Sequence, residues 1–218
     1  VARVQVDLSG GKTCEVELFG VKMTLTAYQS KLPSVYINIS TGTFDEVNSS
    51  SDHSYIAYGD LSIGVTEKLA AEKGWKTSYQ SIENNAEKAG TIEIRGRGNS
   101  SWNTNPAKKK SYQFKMEKKQ SLLGLDKDKT YILLQDSVWF IGQKLGLDLG
   151  QMLGFGATPK SEFVDVFADG KYIGCMLLCE KVKVGTSGVN ISNLEDEFEN
   201  NGNSIEGLDL SGGYLLEV

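Results

Sequence analysis

Residues 161–184 read SEFVDVFADGKYIGCMLLCEKVKV. Apolar and polar residues alternate up to Ala168, Asp169-Gly170 interrupts, and alternation resumes at Lys171. Two such runs around Asp-Gly predict a β-hairpin, because a type I′ turn needs φ > 0 at both central residues. That turn pairs Phe167 with Tyr172 and Val166 with Ile173. On the return strand it puts Cys175, Leu177 and Cys179 on one face and Met176, Leu178 and Glu180 on the other.

The same period of two recurs along the chain. Val4, Val6 and Leu8 form one set, Cys14, Val16 and Leu18 a second, and Val21, Met23 and Leu25 a third, punctuated by Gly10-Gly11 and Gly20. Further strands are expected at Val35–Ile39, Ile56–Tyr58, Leu61–Val65, Ile92–Ile94, 110–116 and Tyr131–Leu134. Residues 42–53 are polar and Ser-rich and read as a loop, as does the acidic stretch after 184; Tyr214–Val218 reads as the start of a strand. A short helix fits 66–73. A longer one is predicted by Val138, Ile141, Leu145, Leu149 and Met152, with Asp136 or Ser137 to cap its start and Gly154 just past its end. The expected class is α+β, mostly antiparallel β-sheet with few helices. Residues 1–30 are expected to form N-terminal β-hairpins and residues 31–218 the main domain.

The net charge of −5 over 218 residues hides an asymmetry. Residues 91–120 hold eight Lys or Arg against Glu93 and Glu117, a local +6, whereas residues 190–218 hold seven acids and no base. One basic stretch in an acidic chain argues against a general nucleic-acid coat and for a single anion-binding site. No apolar run is long enough to span a membrane. The three cysteines, Cys14, Cys175 and Cys179, are too few for a disulfide scaffold. Cys175 and Cys179 lie about 13 Å apart along one strand, beyond disulfide reach. His53 is the sole histidine, so no Ser-His or Cys-His catalytic pair is available.

Three candidates for chemistry remain. In Arg95-Gly96-Arg97-Gly98-Asn99-Ser100-Ser101-Trp102, two glycines let the backbone turn close to a ligand. Two arginines, Asn99, Ser100 and Ser101 supply donors for an anion nest; the alternative is a tight turn with solvated arginines. Lys110 shares a strand face with Tyr112, Phe114 and Met116. It either meets an acid or a ligand anion, or snorkels at the strand end. Glu180 ends an apolar run, either as a plain surface acid or as a partner for Lys110. A Lys–Glu pair that orients ATP phosphates is a recurring kinase part. No Walker P-loop, GxGxxG, HRD or DFG run is present.

Taken together, IEIRGRGNSSW with KKKSYQFKM, then LLGL and YILLQD, then residues 161–184 and GGYLLEV resemble the spore coat protein H (CotH) kinase family. The resemblance covers residues 91–218, with LPSVYINIS at 32–40 similar to the family's first strand. It implies an atypical protein-kinase-like fold in a protein secreted or displayed on a bacterial cell or spore surface. The implied activity is transfer of the ATP γ-phosphate to Ser or Thr of a coat or surface protein, with Mg2+ or another divalent metal. The implied phosphate contacts are Arg97, Asn99, Ser100 and Lys110, with Arg95 and Ser101 beside them, and Glu180 is the implied orienting acid beside a catalytic Lys110. The resemblance also implies metal ligands and catalytic aspartates beyond Val218, and hence an inactive fragment. Phe140–Lys144 departs from the family's Arg-Asn pair, which favours a rival: a non-catalytic surface adhesin or scaffold module. Nucleotide, protein substrate or surface-assembly partner are the expected partners, without nucleic acid or a membrane span.

Overall fold

The Asp169-Gly170 turn forms as expected, with φ of 48° and 77°. It joins β9 (Ser161–Ala168) to β10 (Lys171–Glu180). Phe167 pairs with Tyr172, but Val166 faces Gly174, because a bulge lies between Tyr172 and Gly174. The extra residue turns Ile173 inward against the core. Beyond it, Met176 and Leu178 point into the core as the alternation predicts.

The computed structural model describes residues 13–18, 20–26, 30–81, 90–98, 102, 110–135, 141–185, 188–210 and 213–215. The chain divides into two compact units, Val1–Lys31 and Leu32–Val218. In the first, β1 (Thr13–Leu18) pairs antiparallel with β2 (Val21–Thr26). The Val4, Val6 and Leu8 set lies outside the described residues.

In the second unit, β3 (Ser34–Thr41), β4 (Ile56–Gly64), β6 (Ile92–Arg97), β7 (Ser111–Gln120) and β8 (Asp128–Leu134) join the hairpin, and β5 (Ser78–Gln80) adds to the side of β4. The sheet order is β3-β9-β10-β8-β7-β6-β4, and β4 pairs back with β3. Seven strands therefore close into a barrel. Its β3–β9 junction is parallel and the other six are antiparallel, so the sheet is mixed. This overturns the expected α+β, atypical protein-kinase-like fold: the described residues form a closed β-barrel with a few short helices and no helical lobe. The reason is physical. Period-two alternation reports which face of a strand is buried, not which strands meet, and closure pairs Ser34 with Asp165 across most of the chain.

Inward residues fill the barrel. Val35, Ile37, Ala57, Leu61, Ile63, Ile92, Ile94, Phe114, Met116, Tyr131, Leu133, Val164, Val166, Met176 and Leu178 form one buried cluster. Closure leaves few free sheet edges, and a barrel of this size is a packed core rather than a pore.

Four helices whose bounds lie among the described residues accompany the barrel. α1 (Phe44–Ser49) falls in the stretch expected to be loop, held by a capping box between Thr43 and Glu46. α2 (Glu67–Lys73) is the short helix expected there, capped by Thr66 and closed by left-handed Gly74. α3 (Gly142–Met152) begins later than its apolar stripe suggests and has no side-chain cap at Ile141; the proposed caps Asp136 and Ser137 lie outside the described residues. Gly154 follows it with φ 72°, as expected. α4 (Leu194–Asn200) occupies part of the acidic stretch read as loop. Residues 213–215 are not in a strand, and 216–218 lie outside the described residues. No helix among the described residues is long and apolar enough to cross a membrane.

Candidate functional site

Lys110 immediately precedes β7, and Tyr112 and Phe114, two and four residues on, are buried in the barrel. The Lys110 side chain follows this inward phase at the barrel mouth. Its Nζ donates to the carbonyl of Asn48 at 2.8 Å and stands 4.1 Å from the centroid of the Trp102 ring. Lys110 forms no ion pair with a described carboxylate.

Three contacts fasten the end of α1 at this mouth. Besides the Lys110 bond, the Tyr112 hydroxyl donates to Asn48 Oδ1 at 3.0 Å, and Trp102 Nε1 donates to the carbonyl of Ser50 at 2.7 Å. Phe44 packs on Tyr112 with centroids 4.9 Å apart. Burial holds the Tyr112 phenol well above its ordinary pKa, so it stays a neutral donor. The result is a cleft of about 180 Å³ lined by Phe44, Asp45, Asn48, Lys110, Tyr112, Ile173 and Met176. That is below the roughly 300–1,000 Å³ of sites that enclose a drug-sized ligand. It suits one compact group, such as a phosphate, better than a whole nucleotide.

Glu180 lies elsewhere. Tyr112 pairs with Leu133, Leu133 with Leu178, and Glu180 with Tyr131. By that register Lys110 is level with Met176, four residues from Glu180, which is about 13 Å along the strand. The layer between them is filled by Tyr112, Phe114, Tyr131 and Leu178. The Lys110–Glu180 pair is therefore not formed. Instead Glu180 Oε1 accepts from the Asp126 amide at 2.5 Å, and Oε2 accepts from the Lys160 amide at 2.9 Å. Desolvation raises the Glu180 pKa, against the pull of the two amides. Beside it, Lys160 Nζ meets Asp126 Oδ1 at 2.5 Å. Glu180 thus ties two loops to the end of β10.

The arginines take a third position. Ile92, Ile94 and Gly96 are the buried residues of β6, so Arg95 and Arg97 fall on the outward face. Arg97 stands opposite Ser111, and its charge acts on the outward-facing Cys179 thiol. Burial nonetheless pushes the Cys179 thiol up to about 12, which disfavours the reactive thiolate. Asn99, Ser100 and Ser101 lie outside the described residues. Of the described candidate residues, Arg95, Arg97, Lys110 and Glu180, only Lys110 lines the cleft.

The sequence reading missed Asn48, and it placed Gly96 and Trp102 in an anion-binding turn rather than in the packing of this mouth. A Cβ at Gly96 would lie 2.7 Å from both Trp102 Cζ2 and His53 Cβ. The glycine thus makes room for a core tryptophan rather than for a ligand. The Thr43-x-x-Glu46 capping box was the legible signal for α1, and so for the position of Asn48.

No family model matches the chain, and no curated protein matches it.

Proposed function

We propose that the Lys110 cleft binds the polyphosphate end of ATP. In this reading the chain is the nucleotide-binding portion of a CotH-like phosphotransferase acting on Ser or Thr of a protein at a cell or spore surface. The observation that carries it is the Lys110 ammonium, held at the wall of a phosphate-sized cleft without a described carboxylate partner. An ammonium has three donors, and Asn48 takes one. Phosphate oxygens would satisfy the others and supply a directly bonded counter-charge, which no described carboxylate gives.

Phosphoryl transfer depends mainly on positioning and on neutralising phosphate charge. Lys110 can supply the second, and the Asn48 and Trp102 contacts fix where it does so. Among the described residues no group of three or more His, Cys, Asp or Glu comes together to hold a metal ion. The described donors thus do not fit the divalent metal that the resemblance implies.

The closed barrel favours a second reading, a non-catalytic surface adhesin or scaffold module. Its interior is packed, and the described residues form no second lobe to enclose a nucleotide. Fold alone does not choose between the readings. Calorimetric titration with ATP and with pyrophosphate, on wild type and Lys110→Met, tests the first. At least tenfold weaker binding by the variant supports it, and equal binding by both overturns it. Label transfer from ATP to a serine-bearing acceptor then separates a transferase from a binder.

A further inference from the structure

The apolar stripe of α3 points away from the barrel. The helix packs beside β9, and its shielded residues are Gly150, buried against Thr158, and the half-buried Lys144, Leu147 and Asp148. Ile141, Leu145, Leu149, Met152, Leu153 and Phe155 are each at least 51% exposed, and Met152 reaches 84%. At 100° per residue these helical positions, with Gly142 and Gly146, occupy one continuous arc without a charge. The nearest charges, Lys144 and Asp148, pair with each other at 2.6 Å outside that arc.

An amphipathic helix turned outward needs a cover. The six apolar residues present on the order of 800 Å², more than the roughly 300–600 Å² of a typical monomer's largest patch and close to one partner's share of a standard interface.

The distribution of bulk within the patch selects the partner. The N-terminal half carries Gly142 and Gly146, and a Cβ at Gly146 would meet nothing within 4 Å. The C-terminal half carries Met152, Leu153 and Phe155. In an antiparallel pair of identical helices crossing at Leu149, Gly146 faces Met152 and Leu145 faces Leu153. By the twofold, Met152 of each copy meets the Gly146 gap of the other while Leu145 and Leu153 pack against each other, which is the self-complementarity that a twofold interface requires. The uncharged arc brings no like charges together.

We propose that this chain forms a twofold-symmetric dimer in which α3 packs antiparallel against α3 of a second copy. The interface uses Leu145, Leu149, Met152 and Leu153 as knobs and Gly146 as a hole. It is independent of whatever the Lys110 cleft binds.

Sedimentation equilibrium on the full chain, from micromolar to several hundred micromolar, is the test. The expected mass is twice 23.8 kDa at the upper end, dissociating on dilution. Leu149→Lys puts a charge on the axis, and Gly146→Leu fills the hole. A side chain at Gly146 would stand in open space and Leu149 is half exposed in the monomer, so melting of the monomer is expected to change little. Each should raise the dissociation constant at least tenfold. A monomer at every concentration overturns the proposal. So does a dimer indifferent to both variants, or a mass that climbs past two copies.

Discussion

The ammonium of Lys110 lies over the Trp102 ring at 4.1 Å from its centroid, and the indole Nε1 of the same ring holds the carbonyl of Ser50. One tryptophan thus positions both the cation and the loop that follows α1. Trp102 is 2% exposed, so Trp102→Ala should cost about 3–5 kcal/mol of stability. Lys110→Met keeps the apolar stem and should change stability far less while weakening pyrophosphate binding. Denaturant melts beside calorimetry separate the two effects. Equal loss of stability in both variants would show that Lys110 is a structural prop.

Gly96 tests how tightly this mouth is packed. Gly96→Ala places a methyl against Trp102 and His53 and should destabilise by about 1–3 kcal/mol, as overpacking does. Combining it with Trp102→Leu, which vacates the space, should recover part of that loss. Additive losses in a double-mutant cycle would argue against direct contact.

Glu180 should leave a signature in the pH dependence of stability. Its pKa is raised in the folded state, so the native protein holds this proton more tightly than the unfolded chain. Stability from this group is then greatest at low pH and falls as pH rises from the ordinary glutamate value through the raised one. Asp128 and Asp52 are shifted down, Asp52 to about 2, and contribute with the opposite sign. The informative quantity is therefore the difference between wild type and Glu180→Gln in urea melts from pH 4 to 8. Wild type should lose ground relative to the variant as pH rises. Glu180→Ala, which leaves the Asp126 and Lys160 amides without their acceptor, should cost about 2–4 kcal/mol.

Asp169 joins the hairpin tip to a distant part of the chain. Its carboxylate accepts from the Ile39 amide at 2.8 Å and the Phe44 amide at 3.3 Å. Asp169→Gly relieves the positive φ but removes both bonds, so it should still destabilise, by about 1–3 kcal/mol. A variant as stable as wild type, by thermal melt, would show that the turn geometry matters more than the bonds.

These residues also show what the sequence could tell. Asp169-Gly170, the Met176/Leu178 face and the Tyr112/Phe114 face were legible because strand alternation and turn chemistry are local. α1 spans six residues, too short for periodicity, and only its capping box betrays it. The stripe of α3 was legible as a pattern, yet its direction was not: the pattern says that a face is apolar, not that the barrel takes it. Glu180 looked like a partner for Lys110 because both carry charge on inward faces. The register that separates them depends on β8, which pairs with both strands and is invisible to spacing along either one.

The parallel junction of β3 with β9 sets the order in which the molecule can be made. Ser34 meets Asp165, so on the ribosome β3 leaves about 7 to 26 s before its neighbour at roughly 5–20 residues per second. Through that interval β3 can hold β4 on one side, while its other edge stays open to any strand that passes. Such long-range closure slows folding. Nascent chains of this protein should therefore be most prone to mispairing after β4 has emerged and before β9 has.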